Sequence, residues 1–330
     1  MNTANQNFKI QKYIAFISIA LFIIKLAAWY ITHSVAILTD ALESIVNVVA
    51  GLIGLYSIYL SGKPKDSDHP YGHGKVEFLS AAIEGALIGI AGILIIKEAV
   101  LNLYKPHEIH SLDYGIYLVL FTAVINFIAG RICVAQGKKS NSLALIASGK
   151  HLLADTYTTS GIALGLVLLL FTKIIWLDSV VAILFASIVL YTSYKIIRSS
   201  VAGIMDEADD ELINKMVLLL NKNRKINWID LHNLRIIKYG STIHVDCHLT
   251  VPWFFNVHEA HREIDDLSIL VKEHFGNSVE LFVHSDGCLD FSCPICDKQD
   301  CTVRKHPFEK KIEWSMQNIS TDKKHQLTTN

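Results

Sequence analysis

Up to about residue 199 the chain is a succession of long apolar runs, and after it come shorter, alternating segments richer in charge. Six runs reach or approach the roughly 20 residues that a helix needs to cross a hydrocarbon core of about 30 Å. They are Tyr13–Thr32, Ala36–Leu60, Phe78–Leu101, Tyr114–Ala135, Leu143–Thr172 and Ile174–Ile197. Beyond them Asp209–Asn223 has helical spacing, with aspartates at the end where the helix dipole favours them. NWIDLHNLRIIKYG and STIHVDCHLTV alternate as two strands joined at Tyr239-Gly240. Asn256–Phe275 returns to helical spacing, and SVELFVHSD reads as a last strand. The order α-β-β-α-β predicts a ferredoxin-like, metallochaperone-type open sandwich. The expected fold is an α-helical membrane protein with six transmembrane helices plus a C-terminal cytoplasmic α+β domain. The expected divisions are 1–12 (a cytoplasmic N-terminal segment), 13–200 (membrane), 201–290 (cytoplasmic) and 291–330 (a cysteine-containing tail, largely disordered after about 309).

Polar exceptions within the runs carry the chemistry. The second run holds Asp40, Glu43 and Asn47, which fall within about 60° of one another on a helix. The fifth holds His151 and Asp155, about 40° apart. A carboxylate at bilayer depth costs about 2.5–3.5 kcal/mol, so such groups should face one another or water. Carboxylates, an imidazole and an amide on facing helices form an N/O donor set for a divalent metal. Capping, kinking or interhelical hydrogen bonding is the blander account of each residue alone. Lys25 in the first span either pairs with an acidic neighbour or snorkels toward water or a local water cavity, while Glu84 and Asn126 are further polar residues in spans, without a same-face ligand partner.

Hydrophobic residues make up 51% of the chain, high for a wholly soluble protein, and the net charge of −1 gives no footing for nucleic acid. The polar start MNTANQNFKIQK precedes a first run with no small-residue cleavage site, which reads as an uncleaved span. Lys9, Lys12, Lys63, Lys65, Lys75, Arg131, Lys138, Lys139, Lys195 and Arg198 fall on one side of the spans, against Lys105 and Lys173 on the other. Both termini are therefore expected in the cytoplasm.

Histidine and cysteine cluster outside the spans. Asp66, Asp68, His69 and His73 crowd a loop after the second run, with Gly72 and Gly74 permitting tight backbone. The predicted sandwich carries His232, His244, His248, His258, His261 and His284, with Asp286 near the last. Cys288, Cys293, Cys296 and Cys301 follow a C-x4-C-x2-C-x4-C spacing, a candidate structural zinc site in a reducing compartment. Redox-active or free thiols are the alternatives. His258-Glu259-Ala260-His261 is one residue short of the zinc-protease H-E-x-x-H and is rejected as one. Asn318-Ile319-Ser320 fits a glycosylation acceptor but falls on the cytoplasmic side.

Six spans, HPYGHGKVE after the second, H-x-x-x-D in the fifth and a His-rich tail domain resemble the cation diffusion facilitators over about residues 10–290. The resemblance implies a homodimer in the lipid bilayer, with no enzymatic activity, that exports a divalent cation, usually Zn2+, in exchange for H+. Fe2+, Mn2+, Co2+ or Cd2+ are the other candidate substrates, and the cell's plasma (inner) membrane is the expected location. It places a transport site on Glu43, Asn47, His151 and Asp155, with Asp40 as a further candidate, and an interfacial site on Asp66, His69 and His73. It places cytoplasmic sites on His232, His248, His261, His284 and Asp286, and a charge interlock on Lys75 with Asp206. Glu43 and Asn47 depart from the family's usual donors, and Asn47 removes a charge. A passive divalent-metal channel and a membrane-bound metal sensor are the rival functions. A membrane metalloenzyme would need a hydrolytic motif that the chain does not present.

Overall fold

None of the chain's six prolines falls inside the long apolar runs, so nothing interrupts their i→i−4 ladders. The computed structural model describes residues 3–32, 35–104, 113–172, 176–240, 242–276 and 278–327. Lys105 and Lys173 lie outside the described residues. The chain divides into two units, Met1–Met205 and Asp206–Asn330.

The first unit is six helices: α1 (Thr3–Thr32), α2 (Val35–Ser61), α3 (Val76–Tyr104), α4 (Asp113–Ser140), α5 (Leu143–Thr172) and α6 (Trp176–Ile204). Among the described residues, Gln6–Ala27, Val76–Leu101, Leu120–Ser140 and Ala182–Ile204 are long and apolar enough to cross a membrane. The polar N-terminal segment is no separate piece. It is the first part of α1, because Asn7 and Gln11 are buried and Gln11 Nε2 donates to Gly51 O (3.3 Å) and Ser148 Oγ (3.0 Å). Lys25 turns inward as well, donating to Ser44 Oγ at 2.8 Å. Helices meet through small residues, as expected where lipid supplies no hydrophobic drive for association. A Cβ at Gly85, Gly89 or Gly92 of α3 would come within 2.7–2.9 Å of Ile197, Ser193 or Leu190 of α6. Ser193 Oγ donates to Gly85 O at 2.8 Å across the same seam.

The second unit follows the predicted order: α7 (Asp210–Lys222), β1 (Asp230–Tyr239), β2 (Thr242–Val251), α8 (Val257–Phe275) and β3 (Val279–Gly287). The sheet runs β1-β2-β3, antiparallel then parallel. Caps set the helix starts. Asn256 and Glu259 form a reciprocal capping box on α8, and Asp209 accepts from the Leu212 N–H at 2.9 Å on α7. Leu220 and Met216 of α7, Leu267 of α8 and Leu231 and Leu249 of the strands form the core.

The segment after residue 309 is not disordered. Trp314 and Ile319, 1% and 0% exposed, complete the same core, and α9 (Met316–Ile319) lies against α7 and β1. Asn221 holds the segment by donating to Trp314 O (2.7 Å) and accepting from its N–H (3.2 Å). Arg224 stacks its guanidinium over the indole at 4.0 Å. Two buried apolar anchors outweigh the polar composition that surrounds them.

Asp209 also bonds Lys238 on β1. Burial alone would raise its pKa, but the Lys238 ammonium and the Leu212 amide hold the carboxylate below its usual range. Its contribution is therefore present above the unfolded value of about 3.9 and fades as pH falls through the lower folded value. Asp209→Ala is expected to destabilise the second unit by about 1 kcal/mol near neutrality. Thermal melts of the two proteins at pH 7 and pH 3 check this, since the gap between them must narrow at the lower pH.

Candidate metal sites

Positions 47, 151 and 155 sit on facing stretches of α2 and α5, and their side chains meet. His151 is buried, and its Nε2 lies 2.5 Å from Asn47 Oδ1. The Asn47 oxygen only accepts, so this contact is a hydrogen bond when the imidazole proton is on Nε2. From its other end Asn47 donates Nδ2–H to Asp155 Oδ2. One amide thus bridges an imidazole and a carboxylate from another helix. His151 Nδ1 is buried with no hydrogen-bond partner. An imidazole, an amide oxygen and a carboxylate linked in this way are a donor set that suits a divalent transition metal. α2 carries Asp40 and Glu43 just before Asn47, but their side chains lie outside the described residues.

The loop between α2 and α3 gathers a second set. His69 Nδ1 lies 3.1 Å from Asp66 Oδ1, His73 Nε2 lies 3.3 Å from Asp66 Oδ2, and the rings are 4.4 Å apart. Their donor atoms all fall within 4.8 Å of one another. Asp66 accepts from the His69 N–H at 2.7 Å, and that bond holds its carboxylate below the usual range. Gly72, at φ 91, turns the chain between the histidines, a conformation that disfavours any Cβ.

Strand register builds the third set. His232 pairs with His248 across β1 and β2, and His248 with His284 across β2 and β3, so three imidazoles stand in a row on one face. Asp286, two residues on from His284, closes the row. Its Oδ2 is 3.2 Å from His248 Nδ1 and 3.5 Å from His232 Nε2, and its Oδ1 is 3.5 Å from His284 Nε2. His232, His248 and Asp286 bring their donors within 4.8 Å. Behind them Asp230 contacts His232 Nδ1 at 3.4 Å and His325 Nδ1 at 2.5 Å. Burial opposes ionisation of Asp230, but the bonds from His232 and His325 hold its carboxyl far below the ordinary range. His261 stands apart from the row, paired with Asp265 at 3.7 Å, though it lines a cavity of about 240 Å³ together with Asp286.

The tail adds a cation to this face. Lys324 Nζ donates to Gly287 O at 2.9 Å and lies 3.7 Å from Asp286 Oδ1. Cys288, Cys293, Cys296 and Cys301 line one cavity, although only the two histidine groups meet the 4.8 Å spacing among the described residues. Lys75 donates to Ile204 O at 3.4 Å, two residues before Asp206.

One polar network was not read as such from the sequence. Glu84 of α3 is fully buried and accepts from Ser148 Oγ at 2.9 Å, and Ser148 accepts from Gln11. Glu77, seven residues earlier on the same face of α3, accepts from Ser61 at 2.9 Å and from Ser142. That seven-residue spacing was the available signal.

A helical bundle that joins an imidazole, an amide and a carboxylate, and an open sandwich with a histidine row, are the features of a membrane protein that handles metal ions. The chain matches the family model described as the cation efflux transmembrane domain over residues 12–205. It matches the cation efflux protein cytoplasmic domain over residues 208–288. It belongs to the cation efflux family, the cation diffusion facilitators, and is an integral membrane transporter that exports divalent metal cations. An uncharacterised transporter of Synechocystis is 30% identical over 77% of this chain and 82% of its own length. The manganese efflux system protein MneP of Bacillus subtilis is 28% identical over 76% of this chain and 86% of its own. The cation-efflux pump FieF of Pectobacterium carotovorum is 26% identical over 82% and 89%.

Proposed function

We propose that the chain works as a homodimer in the plasma membrane, both termini cytoplasmic, exporting a divalent transition metal in exchange for protons by alternating access. The observation that carries this reading is the Asn47 bridge between His151 and Asp155. An ion entering there replaces both hydrogen bonds, taking the Asn47 oxygen, the Asp155 carboxylate and an imidazole nitrogen, with Glu43 as a further ligand. Bound metal needs Asp155 and Glu43 ionised and His151 neutral, so protons and metal exclude one another at these groups. Protons arriving from outside release the ion, and its departure restores the bridge. The Asp66–His69–His73 set serves as an interfacial site, and the His232–His248–His284–Asp286 row, with His261, as cytoplasmic sites. Lys75 with Asp206 is the charge interlock. Metal at the row biases the transport cycle only through unequal affinity for its states. The basic residues crowding one side support the orientation. The outward sheet face bearing Phe282, 60% exposed, supports pairing of two copies.

Zn2+ is the first substrate by donor type, since imidazole and carboxylate suit it. A specific observation favours Mn2+ or Fe2+ as well: Asn47 supplies a neutral carbonyl oxygen, a weaker donor than a second carboxylate and of a type that suits Mn2+. One relative is named for manganese efflux, in keeping with that donor set. Uptake of Zn2+, Fe2+, Mn2+, Co2+ and Cd2+ into proteoliposomes, with and without a pH gradient, tests the reading. Flux indifferent to the gradient indicates a channel, and no flux indicates a sensor. Asn47→Asp is expected to raise the preference for Zn2+ over Mn2+ about 10-fold, the change that about 1.4 kcal/mol of added ligand energy makes. An unchanged selectivity series would remove Asn47 from the ligand set.

A further inference from the structure

We propose that Cys288, Cys293, Cys296 and Cys301 hold a resident thiophilic divalent ion, Zn2+ by preference, which is not cargo and which fastens the returning tail to the second unit. The inference does not depend on which metal the helices carry. It concerns residues at and beyond the end of the matched family region, which stops at 288.

The four thiols come from the end of β3, a 3-10 turn over Asp290–Ile295 and the loop after it, yet all line one cavity of about 20 Å³. That is room for a single small atom or ion. All four are free thiols, so no disulfide accounts for their convergence. Backbone N–H groups face three of the four sulfurs. The Trp253 N–H points at Cys288 Sγ (3.4 Å), the Lys305 N–H at Cys293 Sγ (3.5 Å), and the Lys298 N–H bonds Cys296. A neutral thiol gains little from an amide donor, whereas a thiolate gains a charge-assisted bond. Arg304 braces the same turn, donating to the carbonyls of Cys293 (3.0 Å), Cys296 (2.9 Å) and Lys298 (2.8 Å). Its guanidinium also offsets the excess negative charge that four thiolates leave around one divalent ion. Ligation at the usual Zn–S distance of about 2.3 Å draws the sulfurs closer than they stand here and releases their protons to solvent.

The clamp's purpose follows from what rests on it. Cys288 and Cys296 pack with Ile229, Ile295, Ile312 and Leu327, the last two from the tail. The Glu309 and Lys310 N–H groups donate to Pro294 O, inside the turn (2.8 and 3.1 Å). From there the chain runs back to bury Trp314 and Ile319 and to set Lys324 beside Asp286.

Purified full-length protein, dialysed against a chelator, is expected to retain one zinc per protomer by elemental analysis. Asp155→Ala should retain it equally, which separates this site from the transport site. Cys293→Ser with Cys296→Ser should lose it, and limited proteolysis should then cut after residue 301 at least 10-fold faster. Reconstitution of the unaltered protein with Co2+ should give the strong thiolate-to-cobalt charge-transfer absorption of a tetrahedral sulfur site, a readout that needs no variant to fold. Absence of both retained zinc and that absorption would overturn the proposal. So would a thiol count showing the four cysteines paired as disulfides.

Discussion

Alanine at Asp155 is expected to stop metal export while leaving the protein folded and inserted. The carboxylate is the charged member of the Asn47–His151–Asp155 cluster, and it holds the Asn47 amide in the orientation that presents its oxygen to His151. Removing it takes away a ligand and frees the second one to rotate. The loss should exceed the ~10–100-fold in affinity that even an outer-shell partner of a metal commands. Asp155→Asn separates the two roles, because it keeps a hydrogen-bonding partner for Asn47 but gives up the charge that a proton competes for. Export that persists in Asp155→Ala proteoliposomes would mean that the ion passes elsewhere. Retained flux without pH dependence in Asp155→Asn would assign the carboxylate to proton coupling alone.

A side chain at Gly149 is expected to destabilise the bundle, and a large one to prevent its assembly. A Cβ there would stand 2.7 Å from Cys133 Cβ and 2.8 Å from both Val134 Cγ2 and the Val134 backbone nitrogen. The backbone of α4 cannot give way to it as a flexible side chain would. The approach is mutual, for a Cβ at Gly130 would lie 2.8 Å from Gly149 O. Ordinarily Gly→Ala in a helix stabilises by about 0.5–1 kcal/mol. Here the sign should reverse, because overpacking of this kind costs about 1–3 kcal/mol or more. Gly149→Ala should lower the melting temperature in detergent, and Gly149→Leu should give only aggregate on size-exclusion chromatography. A stabilised Gly149→Ala would show that α4 and α5 separate more readily than their spacing implies. His151 lies two residues on, so transport by any folded variant would also report how tightly the cluster depends on this seam.

The spans were legible because the bilayer imposes a length and an apolar composition that no soluble helix needs. The sandwich was legible because hydrophobic period changes at Asp209, Asp230 and Asn256, and the caps stand where the period changes. His151 and Asp155 showed as same-face ligand types in an apolar run. The members of the histidine row were named as candidates, but their standing side by side was not legible, since they meet only through a strand register that the alternation of each strand leaves open. The Gln11–Ser148–Glu84 network was equally hidden, because each of three helices contributes a single polar residue. The tail misled for a related reason. Trp314 and Ile319 are isolated apolar residues in a polar stretch, with no periodicity to reveal that they share a core.

That core has a consequence for how the chain is made. Trp314 follows Asn221, its partner at the end of α7, by 93 positions. During translation at about 5–20 residues per second, α7 leaves the ribosome several seconds before the indole that seals the core, and even β3 leaves about 1–5 seconds before it. The helices are delivered to the lipid while the sandwich still waits with its apolar interior open, so the moment of greatest exposure to chaperones and proteases falls late in synthesis.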